Sequence, residues 1–159
     1  MRLQSLLVTV IVILLCVATE GIAQQHVDCS GRPEVCAFFQ HFVTVFNERD
    51  WSQFRACLAD SITVMFDSPE QPERKNGREA VEKMFRPLFP DSGVAPGKNR
   101  FQIKPDNVLV QDLGEVVVLS FHLRQPGTLA RRTLVVRKSK DRWEIVHIHA
   151  SSFDVPPPK

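Results

Sequence analysis

From Pro33 onward, apolar residues fall at Val35, Phe38, Phe39, Phe42, Val43 and Phe46, steps of three and four that put a phenylalanine stripe along one side of a helix. Pro33 suits a first helical position, where a missing N–H costs nothing. Asp50, followed by Gln53, makes a capping-box start for a second, short helix through Trp51, Phe54 and Leu58, so the first two helices form a hairpin. Asn76 with Glu79 repeats that start signal before Val81, Met84, Phe85 and Leu88, and Pro87 bends or ends this third helix. Between the second and third helices, SITVMFD (61–67) reads as a strand.

Beyond PDSGVAPGKN the period changes from helical to alternating and stays so. Strands are predicted over 101–111, 115–124, 129–138 and 142–152, separated by the turn-prone DLGE, QPGT and SKDR, which makes neighbours antiparallel. Helices followed by a meander define an α+β domain, three N-terminal helices packed on a curved, mainly antiparallel sheet. Residues 154–159, with VPPPK, form an extended tail. No internal repeat is present.

Parity sorts the sheet into two surfaces. Val117, Leu119, Phe121 and Leu123 with Leu134 and Val136 and with Val146, Ile148 and Ala150 make an apolar set assigned to the helix-covered face. The opposite set holds Val116, Val118, Ser120, His122 and Arg124, then Thr133, Val135 and Arg137, then Trp143, Ile145, His147, His149 and Ser151. With nothing over it, this mixed face would expose an apolar patch, and a second copy is the simplest cover. His122, Arg124, His147, His149 and Ser151 are therefore expected to be an interface polar cluster in a homodimer or higher homo-oligomer.

Ordinary composition, 43% hydrophobic and 24% charged, fits one globular domain and excludes disordered and fibrous classes. A net charge of +2 gives no case for nucleic acid, and the cluster of Arg131, Arg132, Arg137, Lys138, Lys140 and Arg142 reads as a solvated basic hairpin. Residues 1–23 carry Arg2, an apolar run from Leu6 to Val17 and a small-residue exit at Gly21 and Ala23, the layout of a signal peptide. The run falls short of the roughly 20 residues a span requires, so no stable membrane insertion is expected after its removal, a retained anchor being the alternative. A secreted or periplasmic mature domain, 24–153, would then keep Cys29, Cys36 and Cys57 where disulfides persist. Cys29–Cys36 closes a short loop before the first helix; Cys29–Cys57 competes, and an odd thiol is left either way.

The ending RWEIVHIHASS, three N-terminal helices, a strand between the second and third, and the closing meander together resemble the nuclear transport factor two-like superfamily. The nearest likeness is to SnoaL-like and ketosteroid isomerase-like proteins, and the last strand is similar to the association domain of calcium/calmodulin-dependent protein kinase II. The resemblance implies a cone-shaped α+β domain that dimerises and holds a pocket between helices and sheet, with no cofactor; it implies fold far more than reaction. Two departures matter. The kinase-type domain has an arginine directly after the second histidine, where this chain has Ala150, and another on the preceding strand, where this chain has Leu134. The ketosteroid isomerase acid/base pair does not carry over, because the chain has no tyrosine.

The favoured expectation is a small, mostly apolar ligand in the cone, lined by Phe42, Phe46, Trp51, Met65, Phe85, Leu134, Ile148 and Ala150. An acid/base enzyme of isomerase, dehydratase or cyclase type would use Asp67 with His149, since imidazole titrates near neutrality, although parity turns His149 away from the cone unless a bulge intervenes. A third alternative is an assembly module without chemistry. No metal is expected: His147 and His149 with His122 could ligate zinc, yet His-x-His is a weak signal.

Overall fold

A computed structural model describes residues 31–68, 72–89 and 102–156. The segment read as a signal peptide, Cys29, the PDSGVAPGKN loop and the last three residues lie outside the described residues. Helices α1 (Pro33–Glu48) and α2 (Trp51–Ala56) are followed by strand β1 (Leu58–Met65), a short β2 (Lys75–Asn76), helix α3 (Arg78–Phe85) with a 3-10 turn at Arg86–Leu88, and four long strands. These are β3 (Asp106–Asp112), β4 (Val116–Gln125), β5 (Thr128–Ser139) and β6 (Arg142–Asp154). They form one six-stranded sheet in the order β2-β1-β6-β5-β4-β3, antiparallel throughout except where β1 runs parallel to β6. The class is α+β, as expected. No helix among the described residues is long and apolar enough to cross a membrane.

The local signals act through identifiable contacts. Pro33 occupies the first turn of α1, and Asp50 caps α2 by accepting the Gln53 backbone N–H at 3.0 Å. The start of α3 differs from expectation: Gly77 is the N-cap, at φ +83°, a backbone setting that suits glycine, and its N–H reaches the Ile62 carbonyl at 2.7 Å. Asn76 belongs to β2 and takes a hydrogen bond from Arg74 Nε instead. The strand predicted over 61–67 begins earlier, at Leu58, and stops at Met65.

The core lies between the helices and one face of the sheet. Val35, Phe39, Phe42, Val45 and Phe46 of α1 and Phe54 of α2 meet Val117, Leu119, Phe121 and Leu123 of β4, Leu134 and Val136 of β5, and Ile148 of β6. Asn47 ties the chain entering β3 to α1: its Nδ2 donates to the Ile103 carbonyl at 2.9 Å and its Oδ1 accepts the Ile103 N–H at 2.8 Å. At the other end of α1, Arg32 Nε and Nη2 hold the two oxygens of Asp112 at 2.7 and 2.8 Å, which fixes the helix across the sheet.

One irregularity corrects the parity argument. Val135 pairs with His147 but Val136 pairs with Ile145, so Val146 is an extra residue on β6, a β-bulge. Before it the alternation is inverted. Trp143 and Ile145, expected on the uncovered face, are buried on the helix side, where Arg32 lies 6.0 Å over the Trp143 ring and Ile145 N donates to the Cys57 carbonyl at 2.8 Å. Val146 itself, expected in the core, is only half-buried. After the bulge the alternation is as expected: Ile148 and Ala150 are buried, while His147 and His149 turn to the far face. Glu144, 5% exposed, is held by Arg137 Nη2 at 3.0 Å.

Candidate functional site in the cone

A cavity of about 80 Å³ opens inside the cone. The first helix contributes Phe42 and Phe46, α3 contributes Phe85, and the sheet contributes Phe121, Leu123, Leu134 and Ile148. Phe66, Leu88 and Ile103 close it from the ends of loops. Leu88 is 45% exposed and Ile103 is buried, so the mouth is at Leu88 and the floor is held by the Asn47 clamp. Outside lies a second hollow of about 190 Å³, a vestibule that shares Phe66, Phe85 and Leu88 with the cavity and adds Asp67, Ser68 and Met84.

Five of the eight residues expected to line a pocket come together here: Phe42, Phe46, Phe85, Leu134 and Ile148. Trp51 instead stacks on Phe54 and packs edge-on against Phe89. Met65 is 44% exposed, and it sits opposite His149 on the uncovered face. Ala150 is buried in the core without lining the cavity.

Sequence reasoning missed Arg132, the one ionisable side chain among the lining residues described. Its basic neighbours make it read as part of a solvated hairpin, but its strand partners are Phe121 and Ala150, both on the inner row. Its parity with Leu134 and Val136 is the signal that could have found it. Nη1 donates to the Arg131 carbonyl at 2.8 Å and to the Ser151 carbonyl at 3.0 Å, and the guanidinium carbon lies 6.0 Å from the Phe66 ring centroid. Burial lowers the Arg132 pKa from its ordinary value, and the charge of Asp67 opposes that shift.

Asp67 is exposed beside the vestibule and accepts the Ser152 backbone N–H at 2.5 Å. His149 is on the opposite side of the sheet, paired with Thr133 and Met65. The two groups named for acid/base chemistry therefore do not share a cavity.

The uncovered face holds the remaining candidates. A groove of about 330 Å³ brings His122, His149 and Ser151 together with Asn107, Arg131 and Thr133. Arg124 lies beside it and pairs with Asp106 at 2.5 Å, which holds the Asp106 carboxyl below the usual range. His147 turns toward β1, its Nδ1 2.7 Å from Thr63 Oγ1; burial first, then His149 and Arg74, push its pKa down, so the neutral ring is favoured. Among the described residues no group of three or more His, Cys, Asp or Glu could hold a metal ion.

Cys36 is disulfide-bonded, its partner lying outside the described residues, whereas Cys57 is a free, buried thiol. The competing Cys29–Cys57 pairing is thus not formed. Burial raises the Cys57 pKa to about 11, with Arg142 opposing, so this thiol behaves as a small apolar side chain rather than a nucleophile.

A family model for the SnoaL-like domain matches residues 35–156, and the chain belongs to that family. Among solved structures, an NTF2-like protein of unknown function from Pseudomonas putida superposes with a TM-score of 0.63 at 18% identity, covering 79% of this chain and 89% of the other. A protein proposed to be a dehydratase of the NTF2-like family, from Streptomyces avermitilis, gives 0.61 at 18% identity over 77% and 96%. A proposed association domain of calcium/calmodulin-dependent protein kinase type II from Thiobacillus denitrificans gives 0.57 at 23% identity over 74% and 94%. At these identities the likeness concerns the fold. No curated protein matches the sequence.

Proposed function

We propose that this chain is an exported, homodimeric SnoaL-like protein that takes a small, mostly apolar molecule into the cone between helices and sheet. The observation that carries this reading is the cavity: ten of its eleven lining residues are apolar, five of them phenylalanines, and its mouth is open at an exposed Leu88. Its volume also limits the ligand. Pockets for drug-sized ligands measure roughly 300–1,000 Å³, so about 80 Å³ suits a short alkyl chain or one ring, with any remainder in the vestibule. Export is supported by the layout of residues 1–23 and by the disulfide at Cys36, a bond that persists in oxidising compartments. A homodimer is supported by the uncovered face, where Met65 and Leu109 are exposed beside half-buried Val116, Val118 and Val135.

Asp67 in the vestibule, together with the dehydratase proposed among the structural relatives, keeps an acid/base enzyme as the second reading. It ranks lower because His149 stands behind the sheet. The binding reading predicts that calorimetry will detect hexan-1-ol binding to the protein, and that Leu88→Trp, which sets an indole over the mouth without disturbing the core, will weaken it by about tenfold or more. Equal affinity in the variant, or no binding to the natural sequence, would count against the cone as a ligand site.

A further inference from the structure

The apolar walls of the cavity make its single guanidinium conspicuous. Arg132 sits on the inner row, half-buried among Phe66, Phe121 and Ala150. A guanidinium carries five N–H donors. Only Nη1 is engaged, on the Arg131 and Ser151 carbonyls, and among the described residues nothing accepts from Nε or Nη2. Nε and Nη2 are not sealed from solvent, and that edge of a residue lining the cavity is free to donate to a ligand acceptor. Asp67 does not fill that role. Its charge is felt at Arg132, but one of its oxygens is committed to the Ser152 N–H and no ion pair closes between the two.

We infer that the cone selects small monocarboxylates: an apolar tail of about four to six carbons in the phenylalanine-lined cavity, with the carboxylate on the open edge of Arg132. This rests on the binding reading above and adds the polar half of the ligand. The carboxylate's two oxygens match a guanidinium edge in a parallel pair of charge-assisted hydrogen bonds, a fit that a hydroxyl cannot reproduce. A monoanion suits the site better than a dianion, because Asp67 already places one negative charge beside the same arginine. The tail length follows from the cavity volume.

Titration calorimetry of the full chain with hexanoate and with hexan-1-ol, at neutral pH and low salt, separates the two halves of the claim. The expected result is hexanoate binding about tenfold or more tighter than hexan-1-ol. Arg132→Met should abolish the preference for hexanoate, and continued saturable binding of hexan-1-ol by the variant reports that the cavity is still formed. Arg132→Lys should keep part of the preference, and the wild-type comparison alone decides if the Met variant does not fold. Equal binding of both probes, or a carboxylate preference that survives Arg132→Met, overturns the inference while leaving the apolar site standing. Failure of both probes to bind overturns the two readings together.

Discussion

Phe54→Ala should cost about 3–5 kcal/mol of unfolding free energy, the largest loss expected from truncating any one side chain in this fold. Phe54 is fully buried, and its ring lies 4.6 Å from Phe89, 5.1 Å from Phe85, 5.9 Å from both Phe42 and Phe46, and 6.0 Å from Trp51. It is the point where α1, α2, α3 and the 3-10 turn meet. Rings from different elements cannot collapse together into the space left behind, so the cavity term adds to the lost transfer energy. Against a total of about 5–15 kcal/mol for a domain, this would remove much of the stability and lower the melting temperature by about 10–20 °C. Denaturant unfolding provides the check, with Phe153→Ala, at an exposed ring, as a control expected to cost below about 1 kcal/mol. A loss below about 1 kcal/mol at Phe54 would mean that the aromatic cluster is not the centre of the core.

Val118→Asp should convert a dimer to single subunits. Val118 pairs with Val135 and Gln111 in the middle of the uncovered face, and neither cross-strand neighbour is a cation. In a separate subunit the position is half-buried, so the substitution costs only about 1 kcal/mol as a strand change. Between two copies packed sheet to sheet, the carboxylate would be buried without a partner, a cost of about 3–5 kcal/mol, or roughly a thousandfold in the dimer dissociation constant. Sedimentation velocity distinguishes the outcomes. A natural chain that sediments as a single subunit, or a variant that remains dimeric, would remove this face from the proposed assembly.

Much of the architecture was legible because it depends on short-range pattern. The α1 stripe, the Asp50 cap and the unbroken inner row of β4 each announce themselves within about ten residues. The bulge did not. Val146 looks like any other strand valine, and the extra residue is defined only against β5, so strict alternation puts Trp143 and Ile145 on the wrong face yet turns both histidines to the side they occupy. The Asn76 side chain suits a cap, but its pairing with Thr63 draws it into β2 and leaves Gly77 to start the helix.

The site divides in the same way. Phe42, Phe46, Phe85, Leu134 and Ile148 follow from periodicity, whereas Phe66, Leu88 and Ile103 enter the cavity from element ends that only long-range contacts such as the Asn47 clamp can position. Arg132 was hidden by its company. Within a run of basic residues it read as solvated, even though its alternation with Leu134 and Val136 placed it indoors.

Methyl-resolved NMR during a hexan-1-ol titration tests the ligand site in the cone most directly. Saturable shifts at Ile103, Leu123, Leu134 and Ile148, with Val118 and Val135 unmoved, are the predicted result. Shifts confined to the Val118 and Val135 row, or none at saturating alcohol, would contradict it.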